Sequence, residues 1–290
     1  MPTHERVCLP IGSFELLVEG LREAPLALCL HGFPDHPPSF EPLLTALGAS
    51  GYHAVAPWLR GYAPSTLEGP YNVDRLVDDA LALADVLSPG RRFYLVGHDW
   101  GANIAYVAAA RFPERLDAVV TMAVPHPDGF FAGIPQHPAQ LLRSWYMFFF
   151  QLPFLAEIGV QYRDFALIDR LWRDWSPSLT PEPAAMRALK RCLAESMPAP
   201  IDYYRAALRP SPRDMRHVGG AAREHIRVPL LSLAGEEDGC IAPEIGEDDA
   251  RFFDGPYRRE VLPGVGHFMV NEAPQAVAER VIDWFAAHRA

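Results

Sequence analysis

The sequence has no long apolar run, no basic patch and few cysteines, and each absence excludes a class of protein. No run approaches the about 20 apolar residues that a membrane-spanning helix needs, so we expect no membrane span. The formal net charge of -10 argues against nucleic acid as a partner, because an acidic surface repels phosphate backbones. The N-terminal residues lack a basic start followed by an apolar stretch, so we predict no signal peptide.

The 4 cysteines are scattered along the 290 residues and contain no CxxC pair. So few cysteines in a chain of this length do not make a disulfide framework, and we expect reduced thiols in a cytoplasmic protein. The chain has no HExxH motif and no other clustered ligand spacing, so we predict no metal. The sequence is compatible with a homodimer, and nothing in it indicates where two copies would meet.

Strand-like and helix-like segments alternate over residues 1–125 and again over residues 225–290. This alternation predicts a core domain with a mostly parallel sheet flanked by helices. Residues 126–224 have no convincing strand and consist of aromatic helical segments broken by prolines such as Pro210. We therefore expect an inserted all-helical cap over the strand ends, where ligands bind in open α/β sheets. The predicted strands are 14–18, 26–30, 53–57, 93–97, 118–123, 229–234 and 259–262, and the predicted helices of the core are 39–47, 73–87, 102–111 and 274–287.

The most informative segment is Gly97-His98-Asp99-Trp100-Gly101, between a predicted strand and a predicted helix. It has the form of the nucleophile elbow G-x-S-x-G, with aspartate in place of serine. A carboxylate at this position is a competent nucleophile for an alkyl carbon and would form an alkyl-enzyme ester. The alternative is a plain strand–helix junction, because a carboxylate near a helix start is favoured anyway.

Two further residues follow Asp99 in the order nucleophile, acid, histidine. Asp238 stands in a polar turn after a predicted strand, and His267 lies in a loop before the last helix. We predict that His267 activates a water as general base and that Asp238 accepts the other ring proton, which fixes the tautomer. Glu236 and Glu237 are rivals for the acid position.

The loop His31-Gly32-Phe33-Pro34 follows another predicted strand. We predict that the backbone N–H groups of Phe33 and Trp100 form an oxyanion hole. The alternative for this loop is a simple Gly-Pro turn. We interpret His31 and His98 as structural histidines.

These segments together resemble the epoxide hydrolases of the α/β-hydrolase superfamily. The resemblance covers nearly the whole chain and rests on HGFP, GHDWGA, GEED and GVGHF, in this order, at 31–34, 97–102, 235–238 and 264–268. It implies an α/β-hydrolase fold, hydrolysis of an epoxide to a vicinal diol through an ester on Asp99, and no organic cofactor. The G-x-x-D spacing of the family favours Asp238 as the acid.

The resemblance also implies two cap tyrosines that hold the epoxide oxygen. The family pattern Y-x-x-x-F-Q places the first at Tyr146, and the pattern W/Y-Y-R places the second at Tyr204, with Tyr203 as a rival. The alternative is that these tyrosines only pack the cap. The expected partners are water and a small apolar epoxide, bound by Trp100, Trp145 and Phe149.

Dehalogenases share the aspartate nucleophile and are the nearest alternative. Many haloalkane dehalogenases have Asn in the HG-x-P loop, where this sequence has Phe33. Haloacetate-acting enzymes tend to carry Arg after the nucleophile, where this sequence has Trp100. A non-catalytic binding protein of the same fold is the alternative from another class, but such proteins typically lose members of the triad, and none is missing here.

Overall fold

The computed structural model describes residues 2–209 and 225–289. Within these ranges an eight-stranded sheet has the order β1-β2-β4-β3-β5-β6-β7-β8. The β1–β2 and β2–β4 pairs are antiparallel, and all other neighbours are parallel. The strands are β1 (Thr3–Leu9), β2 (Gly12–Glu19), β3 (Leu26–Leu30), β4 (His53–Pro57), β5 (Phe93–His98), β6 (Leu116–Met122), β7 (Leu230–Gly235) and β8 (Tyr257–Leu262).

Helices cover both faces of the sheet, so the central strands are apolar without alternation. Every residue of β3, β4 and β5 is buried, as the continuous apolar runs in the sequence predict. The predicted mostly parallel sheet is thereby confirmed. The core helices are α1 (Glu41–Ala49), α2 (Val73–Leu87), α3 (Trp100–Arg111), α10 (Met269–Glu272) and α11 (Pro274–Ala287).

Two predicted helices have the expected bounds because their end signals are local. The Asn72 side chain accepts a hydrogen bond from Arg75 N and caps α2. Pro274 occupies the first position of α11, where its missing N–H costs nothing. The strand β1 is absent from the sequence predictions, because it is an edge strand whose residues are all partly or fully exposed and therefore give no apolar signal.

The described part of the predicted cap contains only helices and turns. They are α4 (Pro127–Gly133), α5 (Gln140–Arg143), α6 (Trp145–Phe149), α7 (Leu155–Trp175), α8 (Pro183–Ser196) and α9 (Ala199–Leu208). The backbone of α7 departs from right-handed helical φ and ψ angles at residues 162–165. Pro210 and the predicted cap boundary at 224 lie outside the described residues. No helix of residues 2–209 and 225–289 is long and apolar enough to cross a bilayer.

Candidate active site

Asp99 stands at the turn between β5 and α3 in a backbone conformation that side chains rarely adopt. Its φ is 52° and its ψ is -113°. The turn is tight: a Cβ on Gly97 would lie 2.1 Å from the carbonyl oxygen of Gly101, and one on Gly101 would lie 2.1 Å from that of Leu30. Glycine at both positions therefore lets the helix pack closely on the strand and leaves the Asp99 side chain at the strand's carboxyl end.

The loop after β3 meets the carboxylate of Asp99. The Phe33 backbone N–H donates to Asp99 Oδ1 at 2.7 Å. The Trp100 N–H is the first of α3, and the first N–H groups of a helix have no intrahelical acceptor. These are the two donors that the sequence assigns to an oxyanion hole, and one of them already contacts the carboxylate.

His31 and His98 make backbone contacts that fit the structural interpretation. His31 Nε2 accepts from Leu59 N at 3.1 Å, and its Nδ1 lies 3.0 Å from the carbonyl oxygen of Gly32. Burial lowers the pKa of His31 to about 4, so its imidazole is neutral. His98 Nε2 donates to the carbonyl oxygen of His267 at 2.8 Å and thereby supports the loop that carries it.

Asp238 and His267 come together as a buried pair. Asp238 Oδ2 lies 2.9 Å from His267 Nδ1, and its Oδ1 accepts from Cys240 N at 2.7 Å and from Ile241 N at 2.9 Å. The rival acids lie elsewhere. The exposed carboxylate of Glu236 accepts from Gly264 N, and that of Glu237 accepts from Ser178 Oγ.

The other ring nitrogen of His267 faces Asp99. Its Nε2 lies 3.7 Å from Asp99 Oδ2 and has no hydrogen-bond partner among the residues that the structure describes. Burial alone would lower the pKa of His267, but the charge and hydrogen bond of Asp238, aided by the charge of Asp99, outweigh burial and raise that pKa to about 10. With Asp99 charged, His267 is therefore an imidazolium at neutral pH.

The two predicted cap tyrosines lie side by side above Asp99 and Trp100. The Tyr146 and Tyr204 rings are 5.5 Å apart, and the Tyr204 ring is 5.1 Å from that of Trp100. Burial raises the pKa of both hydroxyls well above the ordinary value, so both remain protonated donors. The hydroxyl of the rival Tyr203 is already paired, because it donates to the carbonyl oxygen of Arg60 at 2.5 Å.

A cavity of about 310 Å³ is lined by residues of the core and by residues of the predicted cap. Asp99 and Trp100 line it from the core, and Tyr146 and Tyr204 line it from the cap. The Tyr204 hydroxyl is buried and unpartnered within the described ranges, whereas the Tyr146 hydroxyl lies 3.4 Å from Cys240 Sγ. A carboxylate and two phenol side chains thus line the same cavity.

Of the three residues predicted to bind substrate, Trp100 lines this cavity, and Trp145 and Phe149 are not among its lining residues. The Arg170 guanidinium lies over the Trp145 ring at 5.3 Å, and the Phe149 ring packs against Gly159 of α7. Both aromatic side chains thus make contacts within the cap, and their role in substrate binding stays a prediction.

The turn that carries Asp238, residues 235–242, is called the acid turn below. Sequence reasoning missed two residues in or next to it. The buried Gln140 bonds to the backbone of residues 240 and 242, and no pattern in the sequence signals this. Cys240 belongs to a group with Asp238 and His267 whose ligand atoms lie within 4.8 Å of one another. This group fits a metal poorly, because burial raises the pKa of the Cys240 thiol well above its ordinary value and the other two side chains bond to each other.

Known proteins are similar to this chain over almost its full length. Residues 25–274 match the family described as alpha/beta hydrolase fold. Epoxide hydrolase 3 of Xenopus tropicalis is 31% identical over 95% of this chain and 76% of the relative. The chain belongs to the epoxide hydrolases of the α/β-hydrolase fold.

Human epoxide hydrolase 4 is 30% identical over 91% of this chain and 73% of the relative. The crystal structure of epoxide hydrolase A from Mycobacterium thermoresistibile superposes with a TM-score of 0.85 at 25% identity, covering 99% of this chain and 98% of that one. The expected fold and family are confirmed.

Proposed function

We propose that this chain hydrolyses an epoxide to a vicinal diol through a covalent ester on Asp99. One observation carries the proposal: the Asp99 carboxylate and two buried tyrosines, Tyr146 and Tyr204, line the same cavity of about 310 Å³. An epoxide needs both, because a nucleophile must attack carbon while a donor receives the oxygen that leaves. The names of the relatives support the same substrate class.

In the first step, Asp99 Oδ2 attacks a ring carbon of the epoxide. The carbon–oxygen bond breaks, and its electron pair moves to the ring oxygen, which receives a proton or a hydrogen bond from Tyr146 and Tyr204. The Phe33 N–H holds Asp99 Oδ1 and leaves Oδ2 as the attacking atom. The two tyrosines are protonated donors because burial raises their pKa.

In the second step, His267 takes a proton from water, and the resulting hydroxide attacks the ester carbonyl carbon. The negative charge that develops on Oδ1 is stabilised by the N–H groups of Phe33 and Trp100. The tetrahedral intermediate then collapses, and the proton that His267 took from water goes to the departing diol oxygen. The second proton of that water remains on the Asp99 carboxyl and passes to the oxygen released in the first step or to the tyrosine that protonated it, which regenerates the Asp99 carboxylate. The base acts at Nε2, because Asp238 holds Nδ1.

Formation of the ester favours the neutral form of His267. Before alkylation, the negative charge of Asp99 contributes to the raised pKa of His267, and a protonated imidazole accepts no proton. The ester is neutral, so that contribution disappears once alkylation has occurred. The charge and hydrogen bond of Asp238 continue to raise this pKa, and the change on alkylation lowers it in the direction that proton transfer from water requires.

Dehalogenation remains the second candidate because it uses the same nucleophile. A halide leaves as a stable anion and has no need of an acidic proton, whereas the alkoxide from an epoxide does. The unpartnered hydroxyl of Tyr204 favours epoxide chemistry, because it has no structural task within the described ranges. The Phe33 side chain offers no donor to a halide, and its ring packs on Tyr204 at 5.5 Å.

The test is a single turnover in heavy-oxygen water with a panel of epoxides, haloalkanes, haloacetates and simple esters. Because water attacks the ester carbonyl, the label should enter Asp99 and be absent from the first-turnover diol. Label in that diol would rule out the covalent route. A small apolar epoxide as substrate, a homodimer and a cytoplasmic location are proposed alongside this function and await measurement.

A further inference from the structure

The backbone of the acid turn is hydrogen-bonded to the core before Asp238 and mainly to the cap after it. Up to this residue the core holds the turn: the Glu236 and Glu237 amides donate to the carbonyl oxygens of Leu262 and Val265. From Asp238 to residue 242 most of the described hydrogen-bond partners outside the turn belong to the cap, and the core supplies His267 to the Asp238 carboxylate and Ile245 N to the Ala242 carbonyl oxygen. The peptide groups next to the Asp238 carboxylate are therefore hydrogen-bonded to the inserted segment.

Gln140 of α5 makes the central contacts. Its Nε2 donates to the carbonyl oxygen of Cys240 at 2.8 Å and to Ser144 Oγ at 3.0 Å, and its Oε1 accepts from Ala242 N at 3.0 Å. The side chain is 1% exposed, and both of its polar atoms are paired. A buried amide with complementary partners on both atoms defines a single orientation, because the reverse orientation would place donor against donor.

Two neighbouring groups extend the contact. Arg143 Nη1, also from α5, donates to the carbonyl oxygen of Asp238 at 2.5 Å. The carbonyl oxygen of Trp175, at the end of α7, accepts from Gly239 N at 3.0 Å and from His267 N at 3.1 Å. One cap carbonyl therefore joins the acid turn to the histidine loop.

We propose that Gln140, assisted by Arg143, is a positioning residue that sets the acid–base pair for ester hydrolysis. The proposal rests on the proposed function. The Asp238 carboxylate is oriented by the amides of Cys240 and Ile241, and Gln140 holds the peptide group that carries the Ile241 N–H and the peptide group that follows it. The same short stretch of cap carries Tyr146, so one segment supports the oxygen donor of the first step and the acid of the second.

The effect on the two steps is unequal. Alkylation needs Asp99 and the tyrosines, and Tyr146 keeps its ring contact with Trp175 at 4.9 Å without Gln140. Hydrolysis needs His267 aimed at a water, and this aim depends on the 2.9 Å bond to Asp238. Loss of one buried bond partner should therefore slow hydrolysis about tenfold and leave alkylation within about twofold of wild type.

The experiment compares Gln140→Met and Arg143→Met with wild type by pre-steady-state Trp fluorescence, which follows alkylation and hydrolysis separately. Arg143→Lys keeps a donor for the Asp238 carbonyl and should restore hydrolysis. Ser196→Ala is the matched control, because Ser196 Oγ accepts from Ala63 N at 2.8 Å in a buried cap–core bond away from the acid turn. It should lower thermal stability without changing the ratio of the two rates.

A second readout does not depend on the reaction. The proton between His267 Nδ1 and Asp238 should give a downfield proton NMR signal, which Gln140→Met should shift or broaden and Ser196→Ala should not. An unchanged signal and an unchanged rate ratio in Gln140→Met would overturn the inference. If Gln140→Met does not fold, the same two results in Arg143→Met, whose substituted side chain is exposed, would overturn it. Failure of the proposed function looks different: no ester would form on Asp99 even in His267→Gln.

Discussion

Removal of the Tyr204 hydroxyl should slow the proposed alkylation of Asp99 without lowering the stability of the fold. This hydroxyl is buried and has no hydrogen-bond partner in the described ranges. Its removal breaks no hydrogen bond that is worth the about 0.5–1.5 kcal/mol of a typical protein hydrogen bond, so Tyr204→Phe should unfold at about the same temperature as wild type. The same atom should donate to the epoxide oxygen, and general acid assistance is worth about 100- to 10,000-fold. We therefore expect slower alkylation in a protein that is no less stable.

Tyr146 differs because its hydroxyl has a neighbour. Cys240 Sγ lies 3.4 Å away, so Tyr146→Phe should lose a little stability as well as alkylation rate. The double variant should nearly abolish alkylation, since no donor would remain at the epoxide oxygen. Hydrolysis of an ester already formed should change less, because the tyrosines do not contact the ester carbonyl. The two phases can be followed by rapid-mixing Trp fluorescence, with stability measured by thermal unfolding.

Tyr203→Phe is the matched control for these substitutions. It removes the 2.5 Å hydrogen bond to the Arg60 carbonyl, which should cost about 0.5–1.5 kcal/mol of stability and leave the alkylation rate unchanged. A double variant of Tyr146 and Tyr204 that alkylates Asp99 at the wild-type rate would refute the reasoning. Both tyrosines would then be packing residues, and the preference for epoxide over halide chemistry would lose its main support.

Three further predictions follow from the nucleophile turn and the histidine. His267→Gln should still form the ester but hydrolyse it slowly, so intact-mass analysis should find an adduct on Asp99; protein that binds substrate and stays unmodified would count against the assigned roles. Gly101→Ala should unfold at a markedly lower temperature, because its Cβ would lie 2.1 Å from the Leu30 carbonyl oxygen. The pKa of His267 is raised from 6.5 to about 10 on folding, so its contribution to stability is complete below pH 6.5 and is lost as pH rises toward 10. Between pH 6.5 and 10 the unfolding temperature should thus fall more steeply with rising pH for wild type than for His267→Gln. Parallel curves for the two proteins would contradict this role of His267 in stability.

Local signals explain most of what could be predicted from the sequence. Apolar periodicity and the Asn72 cap define α2, and continuous apolar runs define the buried strands. The glycines on either side of Asp99 also allow the tight turn to be predicted, because a close strand–helix contact excludes any side chain at these positions. The order of nucleophile, acid and histidine follows from the chain alone. The fold and the family were therefore accessible without coordinates.

Directions and long-range contacts required the tertiary structure. The adjacent Tyr203 and Tyr204 are equivalent by composition and both line the cavity, and only the tertiary structure pairs the Tyr203 hydroxyl with the Arg60 carbonyl oxygen and leaves the Tyr204 hydroxyl without a partner in the described ranges. Trp145 has the same apolar character as a pocket residue, yet the direction of α6 places it against Arg170.

The acid turn gives the clearest division between sequence and tertiary structure. Its carboxylates occupy three consecutive positions, so composition alone could not choose between Asp238 and its glutamate neighbours. The choice depends on which side chain points inward to His267, at 2.9 Å, and which remain at the surface. The contact of this turn with Gln140 joins residues about a hundred positions apart, and a single sequence carries no local signal for such a pair. The sequence by itself determined the chemical groups and their order, and the packing of cap on core decided which of them meet.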